Sequence, residues 1–407
     1  VGKVNGFTCP KCKKGYAVEH QEYRCVECYA TLEVELDLSG LEGRGPDLFL
    51  NRRDRSIWRW REFFPIETEA AIVTLGEGGT PLLAAERLRR EVGGADLYLK
   101  NDTLLPTGSL KDRSNAVGIS RAVEEGRDVV AVASTGNAAS SVAAYAARAG
   151  LQSVVFVPEI TAPEKVVQAA AYGARIVRVQ ADYDETAHLY GQALKQFGWY
   201  NCLSSNPFRN EGKKSYTYEI WVDLDGRVPD WVIHPTAGGT GAAACWKGFN
   251  ELYRLSWIDR LPRIVAAQAA ACAPVVQAFH AGRDELWAIE PQQTIAESIR
   301  VGKPSTMAWR ALQACRDSGG TAVALSEEEI ERSQRLLATE AGIFAEPAGA
   351  VSLGAAIRLA QDGLVDPGHV VVAVITGHGL KQPSSDLTLP AAIPPDLTAL
   401  GQILQMS

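Results

Sequence analysis

Val129-Val130-Ala131-Val132-Ala133-Ser134-Thr135-Gly136-Asn137-Ala138-Ala139-Ser140 passes from a wholly apolar, β-branched run through a short polar turn into alanine. A strand with no polar alternation is covered on both faces, the usual condition in a parallel sheet. Ser140–Arg148 then takes up a helical period. The same succession recurs along the chain. Short runs at Val154–Val157, Ile176–Val179, Trp231–Ile233, Ile264–Ala266 and Val370–Ile375 alternate with helical stretches at Glu164–Ala171, Tyr183–Gln196 and Ala242–Leu255. Buried strands alternating with helices predict an α/β fold of parallel βαβ units, regular from about Leu97 onward.

The 407 residues exceed what one hydrophobic core usually serves, so two or more domains are expected. Hydrophobic residues at 46% and charged residues at 22% are those of an ordinary globular chain. A net charge of −7 argues against nucleic acid, whose partners carry a basic excess. The run Arg52-Arg53-Asp54-Arg55 is broken by an acid and reads as a solvated or interdomain segment. No apolar run approaches the ~18 residues of a membrane helix, and no basic-then-apolar signal pattern opens the chain. The expectation is a soluble, cytoplasmic protein with a small-molecule partner, no nucleic acid and no membrane.

Four of the eight cysteines fall in the first 28 residues. Cys9-Pro10-Lys11-Cys12 and Cys25-Val26-Glu27-Cys28 are two knuckles in a stretch too short to build a core. Each can set two thiolates on one ion, and together they complete a tetrahedron. Structural zinc is expected, with iron as the alternative, and residues 1–35 form a closed, non-catalytic module. His20, between the knuckles, reads as a surface residue. Cys202, Cys245, Cys272 and Cys315 have no spacing pattern and read as small buried hydrophobes. Residues 36–75, with Trp58 and Trp60, look like a lead-in lying against the main body.

Chemistry concentrates in Pro106-Thr107-Gly108-Ser109-Leu110-Lys111-Asp112-Arg113. A turn opening onto a helix presents free N–H groups beside a lysine. Partly desolvated there, the amine loses basicity and becomes a nucleophile toward a carbonyl carbon. Three further segments share the C-terminal ends of predicted strands, where open α/β sheets bind ligands. The Ser134–Ser140 turn suits a carboxylate at a helix N-terminus, and Asn137 can donate to a ring hydroxyl. Gly238-Gly239-Thr240-Gly241 lets backbone close around a phosphate. Thr376-Gly377-His378-Gly379 follows the last strand and offers a hydroxyl to a ring atom. An aldehyde, a ring hydroxyl and a phosphate together describe pyridoxal phosphate.

The order of these pieces resembles the fold-type-II, tryptophan synthase β-like pyridoxal enzymes, and within them the threonine synthases, from Leu75 to Lys381. The supporting stretches are Leu75–Leu82, the lysine segment, Ser204–Lys214, Trp246–Phe249, Glu346-Pro347-Ala348 and Thr376–Lys381. Some members also carry an N-terminal zinc-ribbon-like segment. The resemblance implies a large cofactor-binding domain, 36–113 with 226–390, a small mobile domain, 114–225, a tail, 391–407, and a homodimer. It implies that Lys111 carries the cofactor and moves protons at the substrate Cα and Cβ. Asn137 would bond the 3-hydroxyl, Gly238, Gly239, Thr240 and Gly241 the phosphate, and Thr376 would face the pyridine nitrogen. Ser134 and Thr135 would hold the substrate carboxylate, while Asn206, Arg209 and Lys213 would meet an anionic leaving group. The implied reaction takes O-phosphohomoserine and water to threonine and phosphate.

This chain departs from the usual pattern. Ala237-Gly238-Gly239-Thr240-Gly241 lacks the common asparagines, Gly212-Lys213-Lys214-Ser215 carries an extra cation, and Glu346-Pro347-Ala348 is followed by Gly349. A β-replacement on O-phosphoserine, as in cysteate synthase, is therefore the alternative, with a non-catalytic binding homologue behind it. His234 reads as a packed residue, His378 as the shaper of a turn, Asp112 and Arg113 as local helix-start contacts, and Glu297 as outside the chemistry.

Overall fold

The computed structural model describes residues 2–20, 22–382, 392–395, 397 and 400, and only the backbone of Tyr183. The expectations for the tail fall almost wholly outside the described residues.

The apolar runs form two mainly parallel sheets. The larger has the order Thr321–Leu325, Arg263–Ala269, Trp231–Pro235, Val370–Ile375, Asp96–Asn101, Leu82–Ala84. Only Leu82–Ala84, at the edge, pairs antiparallel. Its inner strands are buried almost end to end, as unalternated sequence requires. The smaller sheet runs Arg175–Val179, Gln152–Pro158, Val129–Ala133, Tyr200–Asn201, all parallel. Every strand expected from the sequence is present, several of them longer by a few residues at one or both ends. Thr321–Leu325 and the helices Thr306–Asp317, Glu327–Ala341 and Pro347–Gln361 are additional elements. A third, antiparallel sheet, Gly15–Tyr16, Lys3–Thr8, Glu33–Asp37, carries the cysteine knuckles. Among the described residues no helix is long and apolar enough to cross a membrane.

The lead-in enters the main core, where Trp58, Trp60, Phe63 and Phe64 are buried among residues of both parallel sheets. Cys202, Cys245, Cys272 and Cys315 are buried thiols. His20 is half-buried, its ring tilted against that of Tyr16 at 4.6 Å, rather than free at the surface.

Asp112 does make a helix-start contact, accepting from the Thr107 amide (2.7 Å) and hydroxyl (2.6 Å). Arg113 does not. Fully buried, it donates to Asp102 at 2.8 Å, to Glu219 at 2.6 Å and to Thr80 at 3.0 Å. Glu219 also pairs with the buried Lys100 at 2.9 Å. A guanidinium out of water needs charge compensation on every side, and only residues distant in sequence supply it here. Removing one partner of such a network costs about 3–5 kcal/mol. The network bolts the helix Lys111–Glu124 to the strand Asp96–Asn101 and the helix Ser215–Asp223, so Lys111 starts from a fixed base.

Candidate active site

Lys111 is the first residue of its helix. The turn before it is stitched to the end of the strand Val370–Ile375. The Leu110 amide donates to the Thr376 carbonyl at 2.9 Å, and the His378 amide donates to the Gly108 carbonyl at 2.9 Å. Gly108 sits at φ +79°, where a side chain would be strained. The Lys111 side chain is half-buried and forms no ion pair among the described residues. Burial lowers its pKa below the ordinary lysine value; Glu346 opposes the shift and Arg209 adds to it.

The glycine loop 238–241 lies between the strand Trp231–Pro235 and the helix Thr240–Arg254. Gly239, at φ +83°, leaves no room for a Cβ, which would fall 2.3 Å from the Met307 carbonyl oxygen. A Cβ on Gly241 would lie 1.9 Å from the His234 ring. Gly238 faces near-open space, its nearest neighbour for a Cβ being Ser305 Oγ at 4.0 Å. Thr240 and Thr376 are buried at the loop ends.

Asn137 opens the helix Asn137–Ala149 behind Ser134, Thr135 and Gly136, all three half-buried. Its Nδ2 donates to both oxygens of Glu346, at 3.0 and 3.1 Å. A carboxylate accepts only, so the amide NH2 must face it. Ser298 donates to the same carboxylate at 3.1 Å. A Cβ on Gly377 would strike the Glu346 carboxyl at 2.3 Å. In the sequence Glu346 stands out only as part of Glu346-Pro347-Ala348. Its partners lie 48 and 209 positions away, and no local pattern signals such a contact.

Asn206 caps the helix Pro207–Glu211, its Oδ1 accepting from the Phe208 and Arg209 amides at 3.0 and 3.4 Å. Arg209 is 4% exposed and donates through Nε to Asn115 at 2.8 Å. Lys213 is buried too, and neither cation pairs with a carboxylate among the described residues. Burial, then the charges of Lys111 and Arg209, hold the Lys213 pKa well below its ordinary value. Burial, with Lys213 nearby, lowers His234 to about 3, so its imidazole is neutral. Its Nδ1 bonds the Pro235 carbonyl at 2.7 Å, and its buried Nε2 has no partner among the described residues. Three basic side chains, Lys111, Arg209 and Lys213, are thus gathered near the glycine loop, none of them in an ion pair among the described residues. A cavity of about 1090 Å³ lined by Arg227, Asp230 and Arg260 lies at the opposite strand ends and contains none of these residues.

Residues 73–377 match the family model described as pyridoxal-phosphate dependent enzyme. The chain belongs to that family. It is 40% identical over 401 residues to the threonine synthase of Methanocaldococcus jannaschii, covering 98% of both chains. It is 36% identical to that of Methanosarcina acetivorans, over 93% of this chain and 92% of the relative. In fold it is similar to a threonine deaminase from T.th., with a TM-score of 0.63, 24% identity and coverage of 76% and 94% of the two chains. Maize serine racemase gives a TM-score of 0.66 at 19% identity, over 80% of this chain and 92% of that one. The chain is a pyridoxal-phosphate-dependent enzyme related to threonine synthases, with the fold-type-II architecture.

The donor set of this pyridoxal-phosphate family member suits its cofactor. The amine of Lys111 has lost basicity, the Gly238 backbone borders open space, and the neighbouring cations lack counter-charges. At the other end of the chain, the sulfurs of Cys9, Cys12, Cys25 and Cys28 all lie within 4.8 Å of one another, and none is disulfide-bonded. Cys9 and Cys28 are 3.3 Å apart, Cys12 and Cys25 3.5 Å. Sulfurs bound at about 2.3 Å to one tetrahedral zinc are about 3.8 Å apart, so the set fits an ion with little adjustment.

Glu77, in the stretch Leu75–Leu82, is fully buried. Its carboxyl accepts from Tyr145 at 2.8 Å and from the Leu75 amide at 2.9 Å. Burial nevertheless raises its pKa from 4.5 to about 7. The folded chain therefore holds more protons than the unfolded chain between these values. Stability from this group is complete below about pH 4.5 and is lost as the pH rises through 7. Urea unfolding at pH 5 and pH 8 should show the wild type losing roughly 2–3 kcal/mol more than Glu77→Gln. Parallel pH dependence in the two proteins would contradict this.

Proposed function

We propose that this enzyme converts O-phosphohomoserine and water to threonine and inorganic phosphate. The observation that carries the reading is the trio Lys111, Arg209 and Lys213, buried or half-buried and unpaired beside a glycine loop that is itself suited to a phosphate. One phosphate belongs to the cofactor, and the surplus cations call for a second on the substrate. Identity to named threonine synthases over nearly complete chains supports the same substrate.

In this reading pyridoxal phosphate, when bound, supplies the electron sink that makes protons next to the substrate amine acidic. Lys111, its basicity lowered by burial, takes the proton from Cα and then one from Cβ. Ser134, Thr135 and the N–H groups opening the helix Asn137–Ala149 hold the substrate carboxylate. Arg209 and Lys213, with Asn206 setting the helix start, hold the phosphate as the Cγ–O bond breaks. Arg209 suits that task because a planar fork bonds two phosphate oxygens at once. A proton at Cγ then completes the methyl group, water adds at Cβ, and Lys111 returns a proton to Cα. Asn137 has a second amide hydrogen to give to the cofactor's hydroxyl while Glu346 fixes the first, and Gly238–Gly241 grip its phosphate. Thr376 at the pyridine nitrogen is a neutral partner that does not force ring protonation.

The division into a large body, 36–113 with 226–390, and a small one, 114–225, belongs to the same proposal. The small body is clasped to the large by the ion pairs Lys165–Glu297 and Asp184–Lys303, and by Gln168, which donates to the Thr107 carbonyl at 3.3 Å. The two exposed pairs are individually weak, whereas the buried pairs of Glu219 with Arg113 and Lys100 cross the same boundary and hold the helix Ser215–Asp223 to the large body. In the N-terminal module the proposed ion is structural zinc.

Lys213, an additional cation in the pocket, favours the second reading, β-replacement on O-phosphoserine. Phosphate release from each substrate decides between them. Release from O-phosphohomoserine with threonine formed is the expected result. Release from O-phosphoserine alone would overturn the threonine synthase reading.

A further inference from the structure

The cysteine module does more than sit beside the enzyme. Its small core joins Val4, Phe7, Cys9, Cys25, Leu32 and Val34 to one residue from far along the chain, Phe208. Phe208 is 1% exposed and stands edge-on to Phe7 at 5.6 Å and to Tyr23 at 5.3 Å. The next residue is Arg209. Both amides are held by Asn206, so a shift of the backbone that carries the ring also carries Arg209. The same short helix is tied to the module a second time, because Lys247 bridges the Val34 carbonyl at 2.7 Å and Glu211 at 2.8 Å.

A second footing lies under the glycine loop. The Thr31 amide donates to Thr306 Oγ1 at 3.1 Å, and Glu33 pairs with Arg310. Both partners belong to the helix Thr306–Asp317, whose Met307 carbonyl lies directly beneath Gly239. One module therefore braces two walls of one pocket. Two of its four cysteine ligands are themselves fully buried members of the cluster that receives Phe208. A segment this short builds too small a core to be stable by itself, so the shape of the socket depends on the ion as well.

We infer that Phe208 is a positioning residue through which the metal-loaded cysteine module fixes Arg209, coupling metal occupancy to affinity for the phosphate group of the substrate. The inference rests on the proposed role of Arg209 in anion binding. Thermodynamic reciprocity requires that phosphate binding tighten the metal by the same factor that metal tightens phosphate.

The test uses the cofactor-loaded protein with inorganic phosphate as probe, read by the change in cofactor absorbance, and hydrogen exchange over residues 206–214 as a second readout. Phe208→Ala should leave the cofactor absorption and kcat within about twofold of wild type, and raise both the phosphate Kd and the substrate KM by roughly tenfold. Phe208→Leu should recover part of the loss. Stripping the metal with a chelator should produce the same weakening in the wild type, faster exchange over 206–214, and little further change in Phe208→Ala. Unchanged phosphate affinity and unchanged exchange after chelation would overturn the coupling, as would a fall in kcat without a rise in KM. Arg209→Ala separates the two layers. If it leaves phosphate affinity intact, the anion-binding role falls and takes the inference with it. If it weakens phosphate while chelation and Phe208→Ala do not, only the coupling falls.

Discussion

Lys111→Ala should abolish the visible absorption of the lysine-bound cofactor and lower turnover by more than about 1000-fold, with the fold retained. The size of the effect follows from two duties falling on one amine, covalent attachment of the cofactor and carriage of protons at the substrate carbons. Retention of the fold follows from the surroundings. Lys111 makes no ion pair among the described residues, whereas its helix is anchored two positions on by Arg113 to Asp102, Glu219 and Thr80. Removing one of several unbalanced cations relieves repulsion with Arg209 and Lys213 instead of leaving a buried charge alone. Absorption and far-ultraviolet circular dichroism of the variant check both halves. Wild-type absorbance in the variant would remove Lys111 from the chemistry.

Arg209→Ala should lower kcat/KM for the phosphorylated substrate by about two to three orders of magnitude, almost entirely through KM, with the cofactor absorption unchanged. The guanidinium is buried, its one hydrogen-bond partner among the described residues is the neutral Asn115, and burial lowers its pKa. A cation kept there without a counter-charge has its partner in the ligand. The thermal midpoint provides the control. A structural arginine would lose stability on truncation, whereas an unpaired one should leave the midpoint level or raise it. Arg209→Lys should recover only part of the affinity, because a single ammonium cannot span two phosphate oxygens. A fall in kcat at unchanged KM would contradict the assignment.

The strands Val129–Ala133, Gln152–Pro158, Trp231–Pro235 and Val370–Ile375 were legible because burial on both faces writes itself as an unbroken apolar run. The knuckles at Cys9–Cys12 and Cys25–Cys28 were legible because a metal tetrahedron needs only local spacing. Thr321–Leu325 escaped notice as a short, alanine-containing strand directly after Gly319-Gly320. The helix Glu327–Ala341 did carry a readable start, the capping box of Ser326 and Glu329. What sequence could not supply was long-range compensation of charge. Arg113 looked like a helix-start residue, and only the fold brings it Glu219. Glu346 looked like a motif letter, and only the fold brings it Asn137 and Ser298. Phe208 looked like part of an anion-binding segment, and only the fold places it in the core of the distant N-terminal module.

Lys213 is the natural rival to Lys111, since it is a second buried amine with depressed basicity in the same pocket. Borohydride reduction of the cofactor-loaded enzyme, followed by proteolysis and mass spectrometry, separates them. The reduced pyridoxyl group should be found on the peptide containing Lys111 and on no other lysine. Recovery of the label on Lys213, or on no lysine at all, would contradict the account.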